Sequence, residues 1–260
     1  MDRIVLKIGG NELDNPAFVD GLVEALFHLC QTYAVALVHG GGKAISRLQE
    51  QLRLQAHYVE GLRVTDDASL DVAEMVLSGL VNKRLVGRLV AGGLPAVGMS
   101  GVDGGLFRVV KMKHDMHDLG WVGDVVETHL DALEPLLEAG ITPVVSPISL
   151  GLDGHTYNVN ADHAAAALAC ALGADELVFV SNVPGVLGGG EESGGLEGEC
   201  IPLLDAADVE ALIKAGTIHG GMVPKVQSAL SALDEGVPRV RITNLEGLRA
   251  DGGTCFIALK

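Results

Sequence analysis

Short apolar runs alternate with segments of helical periodicity along this chain, and this alternation limits the fold more than any other feature. Residues 4–9 and 34–40 are rich in aliphatic and β-branched side chains, as in strands that are buried on both faces. Helical spacing of apolar residues follows each run, over residues 18–29 and 44–54. This order favours parallel strands joined by right-handed crossovers. We therefore expect an α/β fold with an open, mainly parallel sheet.

The same pattern extends along the rest of the chain. Further helices are predicted at residues 69–90, 130–139, 161–172, 206–215 and 226–235. Further strands are predicted at residues 94–99, 141–148, 176–180, 239–242 and 254–258. We expect helix 69–90 to break near Gly79, residues 104–127 to form hairpins, and the Gly- and Glu-rich residues 188–198 to form a mobile loop. A boundary near Ser149 divides the chain into an N-terminal lobe, 1–149, and a C-terminal lobe, 150–260.

Composition and charge exclude several classes of protein. Hydrophobic residues make up 48% of the 260 residues and aromatic residues only 3%, so Val, Leu, Ile and Ala must build the core. A net charge of −16 disfavours binding to nucleic acids and to anionic membranes. The N-terminus lacks the apolar stretch of a signal peptide, and the four cysteines form no CxxC motif. We expect a soluble cytoplasmic protein with free thiols.

Glycine-rich turns follow the first two predicted strands, where an α/β sheet binds its ligands. Lys7 precedes Gly9 and Gly10, whose backbone N–H groups can approach an anion closely. A lysine within a buried strand needs a partner, unless it extends from an edge strand to solvent. The turn 40–42 opens a helix with three glycines, which suits an anion, although a simple tight turn would also explain it. Neither a Walker A loop nor a GxGxxG fingerprint is present.

Two later segments add polar and cationic groups. Asn158 and Asn160 lie on the same side of an extended segment, and Asp162 follows at a helix start. These residues suit ligand binding and the orientation of a cation, although Asn160 or Asp162 could equally cap the helix. Lys225 lies at the start of another helix, where the helix dipole disfavours a cation unless an anion is nearby.

Weaker signals come from an arginine and from a His/Asp cluster. Arg63 can bind a carboxylate through two hydrogen bonds, but it could also be a surface arginine. The His and Asp residues between 114 and 118 do not have the spacing of a compact metal motif, so no protein metal site is predicted.

Taken together, motifs along nearly the whole chain resemble the amino acid kinase family. The matching stretches, in chain order, are LKIGG, ALVHGGG, VEGLRVTD, VNKRLV, AVGMSGVDGGL, LGWVGDV, TYNVNADHAA, SNVPGVL and GGMVPKV. The resemblance implies a three-layer α/β sandwich of the carbamate kinase type. Its N-terminal lobe would bind an acyl amino acid and form a dimer contact, and its C-terminal lobe would bind ATP.

The resemblance also implies a role for each matching residue. Lys7 and Lys225 would neutralise the transferring phosphoryl group, and Asp162 would orient both lysines. The residues implied to bind the acyl amino acid are Gly41, Gly42, Arg63, Asn158 and Asn160. The residues implied to bind the nucleotide are Gly9, Gly10, Asn182, Val183, Pro184, Gly185, Val186, Leu187, Thr217, Ile218 and His219.

The implied reaction is ATP-dependent phosphorylation of the side-chain carboxylate of N-acetyl-L-glutamate, a step of arginine biosynthesis. Mg²⁺ would accompany ATP, held mainly by phosphates and water. Two alternatives stay open. LSGLVNKRLV and SNVPG also resemble kinases of carrier-linked aminoadipate in lysine biosynthesis, and a non-catalytic nucleotide sensor could share the fold. EGLRVTD and LGWVGDV favour acetylglutamate, and the negative charge of the chain disfavours an acidic carrier protein.

The resemblance bears on assembly as well. Arginine-inhibited members of the family form hexamers through an extra helix before the first strand. Here the first predicted strand begins near Ile4, which leaves less than the roughly 3.6 residues of one helical turn. We therefore expect a homodimer that is insensitive to arginine, with its interface between residues 69 and 99.

Overall fold

Helices cover both faces of one large sheet in the computed structural model, which describes residues 1–188 and 198–257. The strands are β1 Asp2–Ile8, β2 Tyr33–His39, β3 His57–Val59, β4 Leu62–Val64, β5 Ala96–Gly101, β6 Phe107–Lys111, β7 Val122–Thr128, β8 Thr142–Gly151, β9 Thr156–Val159, β10 Glu176–Val180, β11 Leu187–Gly188, β12 Glu199–Cys200, β13 Leu203–Leu204, β14 Val240–Thr243 and β15 Thr254–Phe256. The helices are α1 Pro16–Leu29, α2 Gly42–Gln51, α3 Asp67–Glu74, α4 Asn82–Ala91, α5 Glu134–Glu138, α6 Ala161–Leu172, α7 Ala206–Lys214, α8 Met222–Asp234 and α9 Leu245–Ala250.

The main sheet has the strand order β13-β15-β14-β10-β1-β2-β8-β6-β7-β9, with β5 paired to β8. Strand β1 lies in its interior, parallel to both β10 and β2. Because parallel strands end at the same edge, the residues that follow β1, β2 and β10 lie close together. The expected lobe boundary at Ser149 falls within β8.

Alternate side chains of β1 belong to two separate hydrophobic cores, which gives the molecule three layers. Ile4, Leu6 and Ile8 pack with residues of α1 and α4 on one face of the sheet. Val5 packs with the alanines of α6 and with residues of α8 on the other face. Burial on both faces explains why Ile4, Val5, Leu6 and Ile8 are all aliphatic. The predicted α/β sandwich is confirmed.

The helical segment after β4 differs from its prediction. Gly79 does not break it: residues Met75–Val81 form a π-helical segment that joins α3 directly to α4. The predicted break near Gly79 is therefore wrong, because i→i+5 backbone hydrogen bonds of the π type continue the helix through the glycine.

Two smaller predictions have different outcomes. Residues 107–128 form the expected antiparallel hairpin, from β6 and β7. The mobile loop predicted at 188–198 lies, apart from its two end residues, outside the described part of the chain.

Candidate active site

A cavity of about 350 Å³ opens where β1 and β2 end. Lys7 of β1 and Lys225 of α8 both line it, although they are distant in sequence. The turn 9–10 and the turn 40–42 line the same cavity. The structure thus brings together the two lysines and the two glycine turns that the sequence singled out.

Lys7 has the partner that a lysine in a buried strand requires. Its Nζ lies 2.7 Å from Oδ1 of Asp162 in the first turn of α6, and both side chains are largely buried, with 12% and 15% of their surfaces exposed. Removing either partner of such a pair would leave an uncompensated buried charge. Asp162 therefore fixes the ammonium group of Lys7 at the wall of the cavity.

Lys225 approaches the cavity from the first turns of α8. Its Nζ donates a hydrogen bond to Oγ of Ser181, 2.9 Å away, at the end of β10. Burial lowers the pKa of Lys225, and the positive charge of Lys7 lowers it further, whereas Glu12 and Asp162 act in the opposite direction. An ammonium group that lies close to a second positive charge forms part of a site that an anion would stabilise.

The two glycine turns are in direct backbone contact. A Cβ atom at Gly10 would lie 2.5 Å from the backbone nitrogen and Cα of Gly41, which is closer than atoms can approach. The N–H of Gly40 also donates to the carbonyl of Ile8, at 3.0 Å. Any side chain at Gly10 would separate the turns, so this glycine is required for the close approach and not only for a tight turn.

A buried polar network holds the second glycine turn in place. His39 and Asn82 are both fully buried. Nδ1 of His39 lies 3.0 Å from the Gly40 carbonyl, and its Nε2 lies 3.1 Å from the amide nitrogen of Asn82. That amide also donates to the Val144 carbonyl, at 2.8 Å. Because a carbonyl only accepts, Nδ1 must carry the proton, and Nε2 then accepts from Asn82.

Arg63 lines the cavity, but its guanidinium group already has partners in the protein. Nη2 donates to the Gly42 carbonyl at 3.0 Å and to Oγ of Ser46 at 2.9 Å, and Nη1 donates to Oε1 of Gln49. The group also lies over the ring of Tyr58, 4.8 Å from its centre. Burial lowers the pKa of Arg63. Arg63 therefore braces the start of α2 as well as facing the cavity.

The two asparagines also line the cavity, and one of them caps a helix. Oδ1 of Asn160 accepts from the backbone N–H of Asp162 at 2.7 Å, which makes it the N-cap of α6. The amide of Asn158 donates to Oγ1 of Thr65 at 3.3 Å. Asn160 therefore both caps α6 and lines the cavity.

Of the residues expected to bind the nucleotide, Gly9 and Gly10 line this cavity, whereas residues 182–187 and 217–219 do not. The side chains of Val186 and Ile218 belong to the hydrophobic core and are almost fully buried. Gly185 packs so closely that a Cβ there would meet Thr254 at 2.6 Å. Their backbone groups also have partners in the protein. The N–H of Val186 donates to Oγ1 of Thr254, its carbonyl accepts from Ile201, and the N–H of Ile218 donates to the Leu212 carbonyl.

Ser181 and Glu12 also lie at the site, and neither was predicted from the sequence. Ser181 follows a buried strand, and this position alone could have identified it as a partner for Lys225. Glu12 lines the cavity, and its Oε2 lies against Gly9, where a Cβ would be only 2.1 Å away. A carboxylate thus lies over the glycines that were expected to bind an anion, and no motif indicated this.

Metal-binding groups are sparse at the site. No cluster of three or more His, Cys, Asp or Glu side chains is arranged to hold a metal in residues 1–188 and 198–257. Asp162 is engaged with Lys7, which leaves Glu12 as the carboxylate that lines the cavity. Such a site suits a magnesium ion that arrives with its own phosphate ligands.

Comparison with known families supports the resemblance seen in the sequence. The Amino acid kinase family matches residues 2–244, and the chain belongs to this family. The acetylglutamate kinase of Roseiflexus castenholzii is 51% identical over 98% of this chain and 94% of its own length. That of Geobacillus thermodenitrificans is 47% identical over 94% of this chain and 90% of its own length.

Solved structures agree with the fold. The protein smu.665 from Streptococcus mutans superposes with a TM-score of 0.81 at 29% identity, covering 99% of both chains. Carbamate kinase from Giardia lamblia bound to AMP-PNP superposes with a TM-score of 0.70 at 16% identity, covering 99% of both chains, and shows a shared fold only. Within the described residues, no helix is both long enough and apolar enough to cross a membrane.

Proposed function

We propose that this chain transfers the γ-phosphoryl group of ATP to the side-chain carboxylate of N-acetyl-L-glutamate, as a step of arginine biosynthesis. The observation that carries the proposal is that Lys7, paired with Asp162, and Lys225 line one cavity together with the two glycine turns. Relatives that share about half of the sequence over nearly its full length are named for this reaction. A protein that only senses nucleotide has no need to hold Lys225 beside the positive charge of Lys7, which helps to lower the pKa of Lys225.

The reaction needs positioning and charge neutralisation more than covalent chemistry. A carboxylate is ionised at neutral pH, so it attacks without a general base. An oxygen of the substrate carboxylate forms a bond to the γ-phosphorus as the bond to the ADP oxygen breaks. Lys7 and Lys225 stabilise the charge on the transferring group, and backbone N–H groups of the two glycine turns donate to it.

Each lobe has a main binding role in this proposal, and the C-terminal lobe also contributes two asparagines to the acyl-amino-acid site. The N-terminal lobe, 1–149, holds the acyl amino acid through Arg63 and the glycine turn 40–42, and Asn158 and Asn160 complete that site. The C-terminal lobe, 150–260, holds ATP against residues 182–187 and 217–219. Mg²⁺ would be held mainly by the phosphates of the nucleotide and by water, and it would neutralise part of their negative charge.

We also propose that the protein works as a homodimer in the cytoplasm. Strand β5 pairs only with β8 among the described strands, so its other edge is open. Val97 lies on β5 itself and exposes 39% of its surface. Met75 and Val90 lie on the helical segment before β5 and expose 55% and 52%. An isologous contact of this face with a second copy would cover apolar surface on both subunits.

A substrate panel tests the proposed reaction. ATP consumption is measured with N-acetylglutamate, glutamate, aspartate and carrier-linked aminoadipate, and hydroxylamine traps any acyl phosphate as its hydroxamate. The expected result is rapid hydroxamate formation with N-acetylglutamate and little with the others. A higher rate with carrier-linked aminoadipate would show that this compound, and not N-acetylglutamate, is the substrate. The absence of hydroxamate with all four compounds would refute the proposed reaction.

A further inference from the structure

A second cavity, of about 550 Å³, lies behind the catalytic glycine turns. Helices α1, α2 and α4 form its walls, together with the short 3₁₀ turn Glu12–Asp14. Gly10 lines both cavities, so the first glycine turn separates them. Apart from Gly10, none of the residues proposed above for catalysis or for the acyl amino acid lines this second cavity.

The interior of this cavity is apolar. Val19 and Leu85 are almost fully buried at its base, and Leu48 and Val81 add aliphatic surface. Leu80 exposes 41% of its surface at the opening, although it is a large hydrophobic side chain. A surface of this kind favours a ligand with an apolar body.

The rim is cationic, in contrast to the chain as a whole. Arg47, Arg84 and Arg88 line the cavity in a protein with 34 acidic and only 18 basic residues. Arg47 lies 3.0 Å from Asp14, and Arg88 is paired with Asp20. Within the described residues, Arg84 has no hydrogen-bond or salt-bridge partner. One guanidinium group is thus free to bind an anion, and two others lie near it.

We propose that this second cavity binds a small anion with an apolar body, through a carboxylate or phosphate group held by Arg84. Arg84 and Arg88 are one helical turn apart on α4, so both guanidinium groups can reach the same anionic group. Val90, which belongs to the exposed apolar face proposed for the dimer, lies about half a helical turn from Arg88 on α4. That face and the cavity are therefore on different sides of α4. A dimer through that face would leave the cavity accessible.

Calorimetric titration with two probes tests this site. The probes are 4-phenylbutyrate and phenyl phosphate, which share an aromatic body and differ in their anionic group. Saturable binding with a dissociation constant below about 1 mM is expected for at least one probe. The probe that binds identifies which anionic group the site accepts.

Variants locate the binding. Arg84→Ala should weaken the binding about tenfold, because it removes a charge-assisted hydrogen bond. Leu80→Glu, which places a carboxylate at the opening, should weaken it as well. Arg108→Ala is the matched control, because this arginine lies on β6, away from both cavities, and the control should bind as the wild type does. Circular dichroism checks that each variant is folded.

Competition separates the two cavities. AMP-PNP together with N-acetylglutamate should not displace the bound probe, whatever reaction the protein catalyses. The proposal is overturned if neither probe binds saturably, if Arg84→Ala binds as tightly as the wild type, or if the substrates displace the probe.

Discussion

Acid should destabilise the folded protein through His39, which is fully buried next to the glycine turn 40–42. Burial is the main cause that lowers the pKa of His39, from 6.5 to about 4. Its contact with the Gly40 backbone opposes the shift, and the charge of Lys83 adds to it. Between pH 6.5 and about pH 4, the unfolded chain is therefore protonated at this histidine, whereas the folded protein is not. Stability is lost as the pH falls below 6.5, and the loss is complete below about pH 4.

The magnitude follows from the size of the shift. A difference of about 2.5 pH units corresponds to about 3 kcal/mol when the transition is complete. At about pH 5 the unfolded state is mostly protonated at this site and the folded state mostly is not, so roughly 2 kcal/mol is already lost. Carboxylates with lowered pKa values, such as Asp66, titrate below their ordinary range, so they contribute little to the loss of stability at about pH 5.

Urea unfolding at about pH 5 and pH 7.5 measures this contribution, with the fluorescence of Trp121, the one tryptophan, as the signal. His39→Gln keeps a donor and an acceptor but cannot be protonated, so its stability should differ between the two pH values by about 2 kcal/mol less than that of the wild type. His129→Gln removes a histidine that is about half exposed and serves as the control. Equal pH dependence of wild type and His39→Gln would refute this explanation.

Four further predictions concern activity and assembly. Lys7→Ala should lower kcat about 100- to 1,000-fold in steady-state assays, because it removes a preorganised charge; near-normal kcat would contradict its role. Arg63→Ala should raise KM for the acyl amino acid much more than KM for ATP, and the reverse would move Arg63 to the nucleotide. Glu12→Gln should lower KM for ATP, since it removes a negative charge from the turn 9–10 that is proposed to bind phosphate, and an unchanged or higher KM would count against this. Light scattering should give the mass of a dimer, which Met75→Glu shifts towards monomer; a hexamer, or strong inhibition by arginine, would exclude the proposed assembly.

Local signals were strong enough to predict several elements from the sequence. Helix α6 begins and ends where it was expected, because Asn160 caps its start and Gly173 ends it in a left-handed conformation. Strand β10 was also predicted to the residue, since it is a short apolar run between polar boundaries. The convergence of Lys7 and the turn 40–42 followed from the rule that parallel strands end at one edge, because β1 and β2 are parallel neighbours.

Other features depend on tertiary contacts that no local pattern reveals. The π-helical segment around Gly79 was predicted as a break, because propensity alone does not report packing. The contact of Arg63 with Gln49 depends on how α2 packs against β4. Likewise, the burial of Val186 and Ile218 follows from the core around them and not from the motif that contains them.

The most direct test of the proposed phosphoryl transfer is a parallel measurement of ADP and of trapped hydroxamate from one reaction with ATP and N-acetylglutamate. If the substrate carboxylate attacks the γ-phosphorus at this site, both products form in equal amounts, and Lys225→Ala lowers both together. ADP release without hydroxamate, or hydroxamate formation that is unchanged in Lys225→Ala, would contradict the proposed chemistry.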